Sequence, residues 1–240
     1  MLIPKNNHSI ACIIPFFNEG KTIAKTLKII TKSSMIEQII CVNDGSKDVD
    51  IDKLKNQFPS VLFVSSRRNY GKVAAIKRGL AQISNSKYIL LLDADLKHLN
   101  IKVIDSALSS IIKLKSLDMI ILQRGRDPDI HKLFRTDIVI SGQRIITTSH
   151  LQKILKSKKA KKYQLELAIN EYFIENNLKT AYYPTNITDK SKTDKHGFIL
   201  GNIYKLRMWR DLLTYTSLGD YIFQLFFFCR TKIASKPAFR

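Results

Sequence analysis

Asp93-Ala94-Asp95 closes a run of apolar residues, and this spacing brings two hard carboxylate ligands to one turn. There a Mg²⁺ or Mn²⁺ could be bridged to a diphosphate. Alone, Asp-x-Asp is also an ordinary solvated turn. Other polar groups sit at comparable places: Asn18 and Glu19 after a first apolar run, Asn43 and Asp44 after a second, Arg67 to Lys72 after a third, and Arg124 and Arg126 after a fifth. Asp44 and the Asn18-Glu19-Gly20 stretch can equally be turn formers or helix caps. Together they describe a cleft carrying both signs of charge.

The elements that must position these groups are legible in the hydropathy pattern. The runs Ile10–Ile14, Ile39–Val42, Val61–Val64 and Tyr88–Leu92 are continuous rather than alternating, as in parallel strands covered on both faces. Helical spacing links Ile23, Leu27 and Ile30, then Val73, Ile76 and Leu80, then Ile101, Ile104, Leu108 and Ile111. The resulting β-α repeat predicts an α/β layered fold with ligands at the carboxyl ends of the strands, so the polar groups share one edge. A further strand is expected at Met119–Leu122 and another at Thr180–Tyr183, with a short apolar run at Ile138–Ile140 and an amphipathic helix carrying Leu165, Ala168, Ile169, Tyr172 and Phe173.

Four segments now resemble a known family. Ile14-Pro15-Phe16-Phe17-Asn18-Glu19, Val42-Asn43-Asp44-Gly45-Ser46, Asn69-Tyr70-Gly71-Lys72 and Leu92-Asp93-Ala94-Asp95-Leu96 stand in the order and spacing of family 2 glycosyltransferases. The resemblance covers about residues 8–200 and is strongest toward polyprenyl-phosphate sugar transferases of the dolichol-phosphate mannose synthase type. It implies a GT-A fold, a Rossmann-like, mostly parallel sheet flanked by helices on both faces, over residues 1–200, with 201–240 as an amphipathic, aromatic helical tail. The implied reaction is inverting transfer from a UDP- or GDP-sugar to a lipid phosphate, by a cytoplasmic protein peripheral to the inner face of the membrane.

By the same resemblance, Pro15, Asn18 and Glu19 line the nucleotide pocket, Asp44 holds the base or ribose side, and Asn69 and Lys72 lie against the nucleotide. Asp93 and Asp95 bind a divalent cation, Mg²⁺ or Mn²⁺, and the diphosphate. Arg124 matches the arginine after the fifth strand, Gly142-Gln143-Arg144 a Gly-x-Arg segment, Glu166 a helix carboxylate facing the acceptor, and Lys190 the usual arginine of a phosphate-gripping loop. A phosphate acceptor, already anionic, needs orientation more than a base, which favours Arg124 and Lys190. A glycan hydroxyl would instead need a base, and Glu166 is the candidate.

Three departures bear on the acceptor and the metal. Relatives usually continue Asp-Ala-Asp-Leu with Gln, often a metal ligand, where this chain has Lys97, an ammonium that repels a cation. Only sixteen residues separate Arg124 from Ser141, where relatives carry a longer segment with membrane-lying helices. Tyr182-Tyr183-Pro184 stands where relatives tend to have Glu-Val-Pro.

Composition sets the outer bounds. With 240 residues at 45% hydrophobic and 25% charged, the chain can bury one sizeable core. Forty Lys+Arg against twenty Asp+Glu give +20, divided between both halves, so a basic surface facing anionic lipid, phosphorylated substrate or nucleic acid is implied. No aromatic stacking motif interleaves the basic residues, which sets nucleic acid aside and leaves a non-catalytic basic binding protein as the rival outside enzymology. Six lysines between Lys153 and Lys162 fit a solvated face or a contact with anionic lipid, and Leu206, Trp209, Leu213 and Tyr221–Phe228 fit either an interfacial segment or a core helix. The N-terminus lacks the layout of a signal peptide, and the longest apolar stretch, Tyr221 to Cys229, has nine residues against roughly 20 for a helical span. Cys12, Cys41 and Cys229 read as reduced core thiols, and His8, His131, His150 and His196 as surface or loop residues.

Overall fold

A computed structural model describes residues 9–125, 135–157, 165–189 and 218–234. The first half alternates strand and helix: β1 (Ile10–Phe16), α1 (Gly20–Ile30), β2 (Gln38–Asn43), α2 (Ile51–Gln57), β3 (Val61–Ser65), α3 (Lys72–Leu80), β4 (Tyr88–Leu91), the short β5 (Leu96–Lys97), α4 (Ile101–Lys113) and β6 (Met119–Gln123). Then follow α5 (Thr136–Val139), β7 (Arg144–Thr147), α6 (Thr148–Lys156), α7 (Leu165–Glu175), β8 (Thr180–Pro184), β9 (Thr188–Asp189), α8 (Leu218–Phe227) and β10 (Thr231–Lys232).

Eight strands form one sheet in the order β10-β8-β6-β7-β4-β1-β2-β3. All pairings are parallel except those of β7, which runs antiparallel between β4 and β6. This is the mostly parallel α/β sheet expected from the sequence. The continuous apolar strands are buried on both sides for a visible reason. In β1, Ile10, Cys12 and Ile14 pack with α1, α2 and α4, whereas Ala11 and Ile13 pack with α3, α6 and α7. The three cysteines are free and buried, and burial pushes the Cys229 thiol up to about 11.

Chain direction across the sheet reverses between β1 and β4, since β2 and β3 build outward from one side of β1 and β4 returns to its other side. The carboxyl ends of β1 and β4 therefore border a switch-point crevice. Strand β7 matters here because it is antiparallel: its first residue, Arg144, pairs with Leu91 and Ile121 near the carboxyl ends of β4 and β6. The preceding Gly142 and Gln143 thus enter the crevice from the far side of β4. A second, two-stranded sheet pairs β5 with β9, Lys97 opposite Thr188.

Several local expectations change. Ile138 and Val139 of the short apolar run lie in helix α5. His150 lies in α6, half-buried, its ring bonded to the Tyr172 hydroxyl at 3.2 Å and packed on Phe173, rather than in a loop. Residues 218–234, within the segment set apart as a tail, join the body: Tyr221 and Leu225 pack with Val139 and Leu167, and β10 extends the sheet beside β8. Tyr183 is buried in β8, while the Tyr182 ring lies 5.9 Å from the Arg135 guanidinium. Among the described residues no helix is long and apolar enough to cross a membrane.

Candidate active site at the switch-point crevice

The loop after β1 is tied to the loop after β2. Asn18, in a left-handed conformation at φ 53°, receives the Lys47 amide on Oδ1 at 3.2 Å, and its own amide donates to Ser46 Oγ at 3.0 Å. Helix α1 starts at Gly20, whose amide donates to Asp48 Oδ2 at 3.0 Å; a Cβ at Gly20 would collide with the Asp48 carbonyl oxygen. Glu19 stands at the N-cap position of this helix, and its Oε2 accepts from Thr22 Oγ1 at 2.8 Å. Pro15 lies in β1 opposite Val42, so it belongs to the frame of the crevice.

Asp44 is buried and multiply engaged. Its Oδ2 accepts the Gly71 amide at 2.7 Å and the Tyr70 amide at 3.1 Å, its Oδ1 accepts Ser66 Oγ at 3.2 Å, and Arg78 pairs with it directly. A bond from this carboxylate to a nucleotide would require one of these donors to give way. In its present bonds Asp44 shapes the 66–71 loop, on which Asn69 is exposed and Tyr70 stands half-exposed between the Arg68 and Arg78 guanidiniums at 4.9 and 5.3 Å. Arg78 is missed by motif reasoning because it lies inside a helix; its spacing, one turn after Ala75 on α3, carries no signal for a loop partner.

Gly71, with φ 93°, turns the chain into α3, and Lys72 is the first residue of that helix. The Lys72 ammonium lies 2.8 Å from Asp93 Oδ1 and 2.9 Å from Glu166 Oε1, which comes from the first turn of α7. Burial alone would lower its pKa, but the two carboxylates outweigh burial and hold the ammonium well above the ordinary lysine value. The other oxygen of Asp93 accepts from Gln143 Nε2 at 2.9 Å, and Gln143 is held in turn by Ser141 Oγ at 3.0 Å. Gly142 passes directly over this cluster: a Cβ there would lie 2.7 Å from Asp93 Oδ2, 2.8 Å from Lys72 Nζ and 3.3 Å from Glu166 Oε1. Only glycine lets the backbone approach so closely.

Arg144 is fully buried. It donates to the Ser141 and Val139 carbonyls at 2.8 and 2.9 Å and to Asn170 Oδ1 at 2.7 Å, so it fixes the turn that delivers Gly142 and Gln143. Desolvation lowers its pKa to about 10. The strand it opens is hidden in the sequence because only two apolar residues, Ile145 and Ile146, follow it.

Asp95 lies two residues beyond Asp93 and directly before β5. The carboxylate of Asp93 has both oxygens bonded to protein donors, and the described residues contain no cluster of three or more His, Cys, Asp or Glu that could cage a metal. Two carboxylates on one turn nevertheless fit a hard cation whose remaining ligands are diphosphate oxygens and water. Lys97 is exposed on β5, on the same turn. Arg124 follows β6, its amide donating to the Asp137 carbonyl at 3.0 Å, and the adjoining Gly125 amide donates to the Ile187 carbonyl at 2.7 Å. Lys190, Lys192 and four lysines of the 153–162 cluster, Lys158, Lys159, Lys161 and Lys162, lie outside the described residues.

Comparison with known proteins accords with this geometry. Residues 11–121 match the family described as glycosyl transferase family 2. The putative glycosyltransferase CsbB of Bacillus subtilis is 33% identical over 129 residues, covering 50% of this chain and 37% of its own. An undecaprenyl-phosphate 4-deoxy-4-formamido-L-arabinose transferase of Pseudomonas fluorescens is 33% identical over 99 residues, 38% of this chain and 29% of its own. The chain thus spans well under half the length of these relatives. Among solved structures, glucosyl-3-phosphoglycerate synthase of Mycobacterium tuberculosis, in complex with Mn²⁺, UDP and phosphoglyceric acid, superposes with a TM-score of 0.67 at 16% identity, over 90% of this chain and 80% of that one. The same enzyme with Mg²⁺ and UDP gives 0.61 at 15% identity, over 90% and 83%. Over residues 11–121 the chain is thus similar to glycosyl transferase family 2, and its architecture is that of the GT-A fold.

Proposed function

We propose that this protein transfers a sugar from a UDP- or GDP-sugar to a polyprenyl-phosphate-type lipid at the cytoplasmic membrane face, with inversion at the anomeric carbon. The observation that carries the reading is the convergence of Lys72, Asp93, Gln143 and Glu166 at the switch-point crevice, on the edge where the four family motifs end. The undecaprenyl-phosphate transferases among the relatives support the acceptor class, and the solved neighbours holding UDP with Mn²⁺ or Mg²⁺ support the donor class.

The chemistry asked of the chain is modest. The anomeric carbon–oxygen bond to the diphosphate breaks as a new bond forms to an acceptor phosphate oxygen on the opposite face of the sugar. A divalent cation, when bound, would draw off the negative charge that develops on the leaving diphosphate. Asp95 is the residue assigned to hold it, with Asp93 beside it. Pro15, Asn18, Glu19 and Asn69 frame the nucleoside, and Asp44 sets the shape of its loop. Lys72 fixes Asp93 and Glu166 relative to each other, so that donor and acceptor sides keep one spacing. Arg124 and Lys190 are assigned to orient the anionic acceptor.

An anionic acceptor suits this arrangement better than a glycan hydroxyl. Glu166, the candidate base for a hydroxyl, has Oε1 committed to Lys72 at 2.9 Å. That oxygen is occupied by the ammonium and would have to exchange partners before it could accept a hydroxyl proton.

The test is transfer of radiolabelled sugar to a short-chain polyprenyl phosphate, followed by extraction into organic solvent. Label in the organic phase is expected. Label appearing only on water-soluble glycan, or no turnover with either nucleotide sugar, would overturn the acceptor assignment.

A further inference from the structure

Helix α8 has two unlike faces. Tyr221, Gln224, Leu225 and Phe228 are buried, whereas Ile222, Phe223, Phe226 and Phe227 are 45, 47, 46 and 66% exposed. At about 100° per residue the four exposed side chains occupy one arc of roughly 140°, opposite the buried ones. The Phe223 and Phe227 rings stack with centroids 5.0 Å apart, so the aromatic surface is contiguous. Four large apolar side chains exposed together mark an interaction surface rather than scattered surface apolarity.

The helix carrying this surface is clamped to the body. Gln224 Oε1 accepts from Asn170 Nδ2 at 3.0 Å, and Asn170 Oδ1 accepts from Arg144 at 2.7 Å. Arg135 donates to the carbonyls of Phe228 and Cys229 at 2.9 and 2.6 Å, and β10 joins the sheet. Asn170 is one helical turn after Glu166 on α7, so the seat of α8 lies close to the crevice. Arg230 and Lys232, both exposed, follow the helix directly, with Asp220 at its opposite end.

We propose that the Ile222, Phe223, Phe226 and Phe227 face of α8 is a docking surface for the interface of an anionic phospholipid bilayer. Aromatic side chains enter the boundary between headgroups and acyl chains, while the neighbouring basic residues meet the lipid phosphates. Charge complementarity favours lipid over a second copy of the chain: at +20, two copies brought together at a face flanked by Arg230 and Lys232 repel each other. The inference deepens the lipid-phosphate reading, on which it rests only for the purpose of docking: a rigid platform holds the crevice at the membrane where such an acceptor resides.

The test is co-sedimentation of the full chain with vesicles of phosphatidylcholine containing phosphatidylglycerol, compared with phosphatidylcholine alone. The variant carries Phe223→Ser, Phe226→Ser and Phe227→Ser, changes at exposed positions expected to leave the unfolding temperature and nucleotide binding as in the wild type. Wild type is expected to bind the anionic vesicles at least about tenfold more tightly than the variant and than neutral vesicles bind wild type. The variant should lose transfer to vesicle-embedded acceptor while keeping transfer to a short, water-soluble prenyl phosphate. Unchanged vesicle binding by the variant, or no vesicle binding by wild type, overturns the proposal. So does a wild-type dimer that becomes monomeric in the variant without vesicle binding. Failure of transfer to the soluble acceptor with vesicle binding intact would instead refute the acceptor reading and leave the docking surface standing.

Discussion

Lys72 and Glu166, 94 positions apart in sequence, are joined by a 2.9 Å ion pair, and the same ammonium holds Asp93 at 2.8 Å. One cation therefore couples the turn after β4, the start of α3 and the first turn of α7. Replacing it with an isosteric apolar residue leaves two carboxylates facing a site with no ammonium between them. Lys72→Met is expected to lower transfer by two orders of magnitude or more. Because the pair is partly solvent-exposed, its stability cost should be only about 1–2 kcal/mol. Chemical denaturation and turnover, measured on the same preparation, check both. The folded pKa of Lys72 is raised, so its contribution is fully present below the ordinary value of 10.5 and fades as pH rises above it. The stability difference between wild type and Lys72→Met should be flat from neutral pH to 10 and shrink beyond.

Gly142 gives a sharper probe of geometry. A methyl group there would stand 2.7 Å from Asp93 Oδ2 and 2.8 Å from Lys72 Nζ, so one or both must move. Gly142→Ala should fold, at a cost of about 1–3 kcal/mol, and lose most of its turnover. A fully active Gly142→Ala protein would show that the Asp93–Lys72 spacing does not matter.

Much of this was legible from residue order alone. Strands β1 to β4 announced themselves as unbroken apolar runs because both faces are covered, and the observed bounds differ from the expected ones by a residue or two. The motif residues at their carboxyl ends do share one edge. Strand β7 was not legible, since its first residue is the buried Arg144, whose cost of burial is offset by two carbonyls and Asn170 that no local pattern reveals. The same limit hid Gln143, which reaches Asp93 only because β7 runs antiparallel beside β4. The motif alone assigns Asp44 to the nucleotide, whereas its bonds to Tyr70, Gly71 and Arg78 depend on a loop folding back over it.

Those bonds make a distinct expectation for Asp44. Asp44→Ala strands the Arg78 guanidinium and two backbone amides in a partly buried pocket. It should cost about 2–4 kcal/mol and weaken donor affinity through disorder of the 66–71 loop. Thermal unfolding and nucleotide titration should therefore fall together. A variant that loses nucleotide binding with unaltered stability would point to direct contact instead.

Asn170 connects the crevice side of α7 to α8. Asn170→Leu removes its bonds to Arg144, the Val139 carbonyl and Gln224, leaving buried polar groups unpaired at a cost of about 2–3 kcal/mol. Hydrogen exchange should rise first in α8 and β10, because their attachment depends on this link. Equal protection of both elements in variant and wild type would refute the coupling.

In the proposed function the crevice at β1 and β4 binds a nucleoside diphosphate with a divalent cation. Calorimetric titration of UDP and of GDP, each with and without Mn²⁺, into wild type and Asp95→Asn tests it directly. One nucleotide is expected to bind, more tightly with Mn²⁺, and the Mn²⁺ enhancement to vanish in Asp95→Asn while the fold is retained. No binding of either nucleotide by the folded wild-type protein would contradict it.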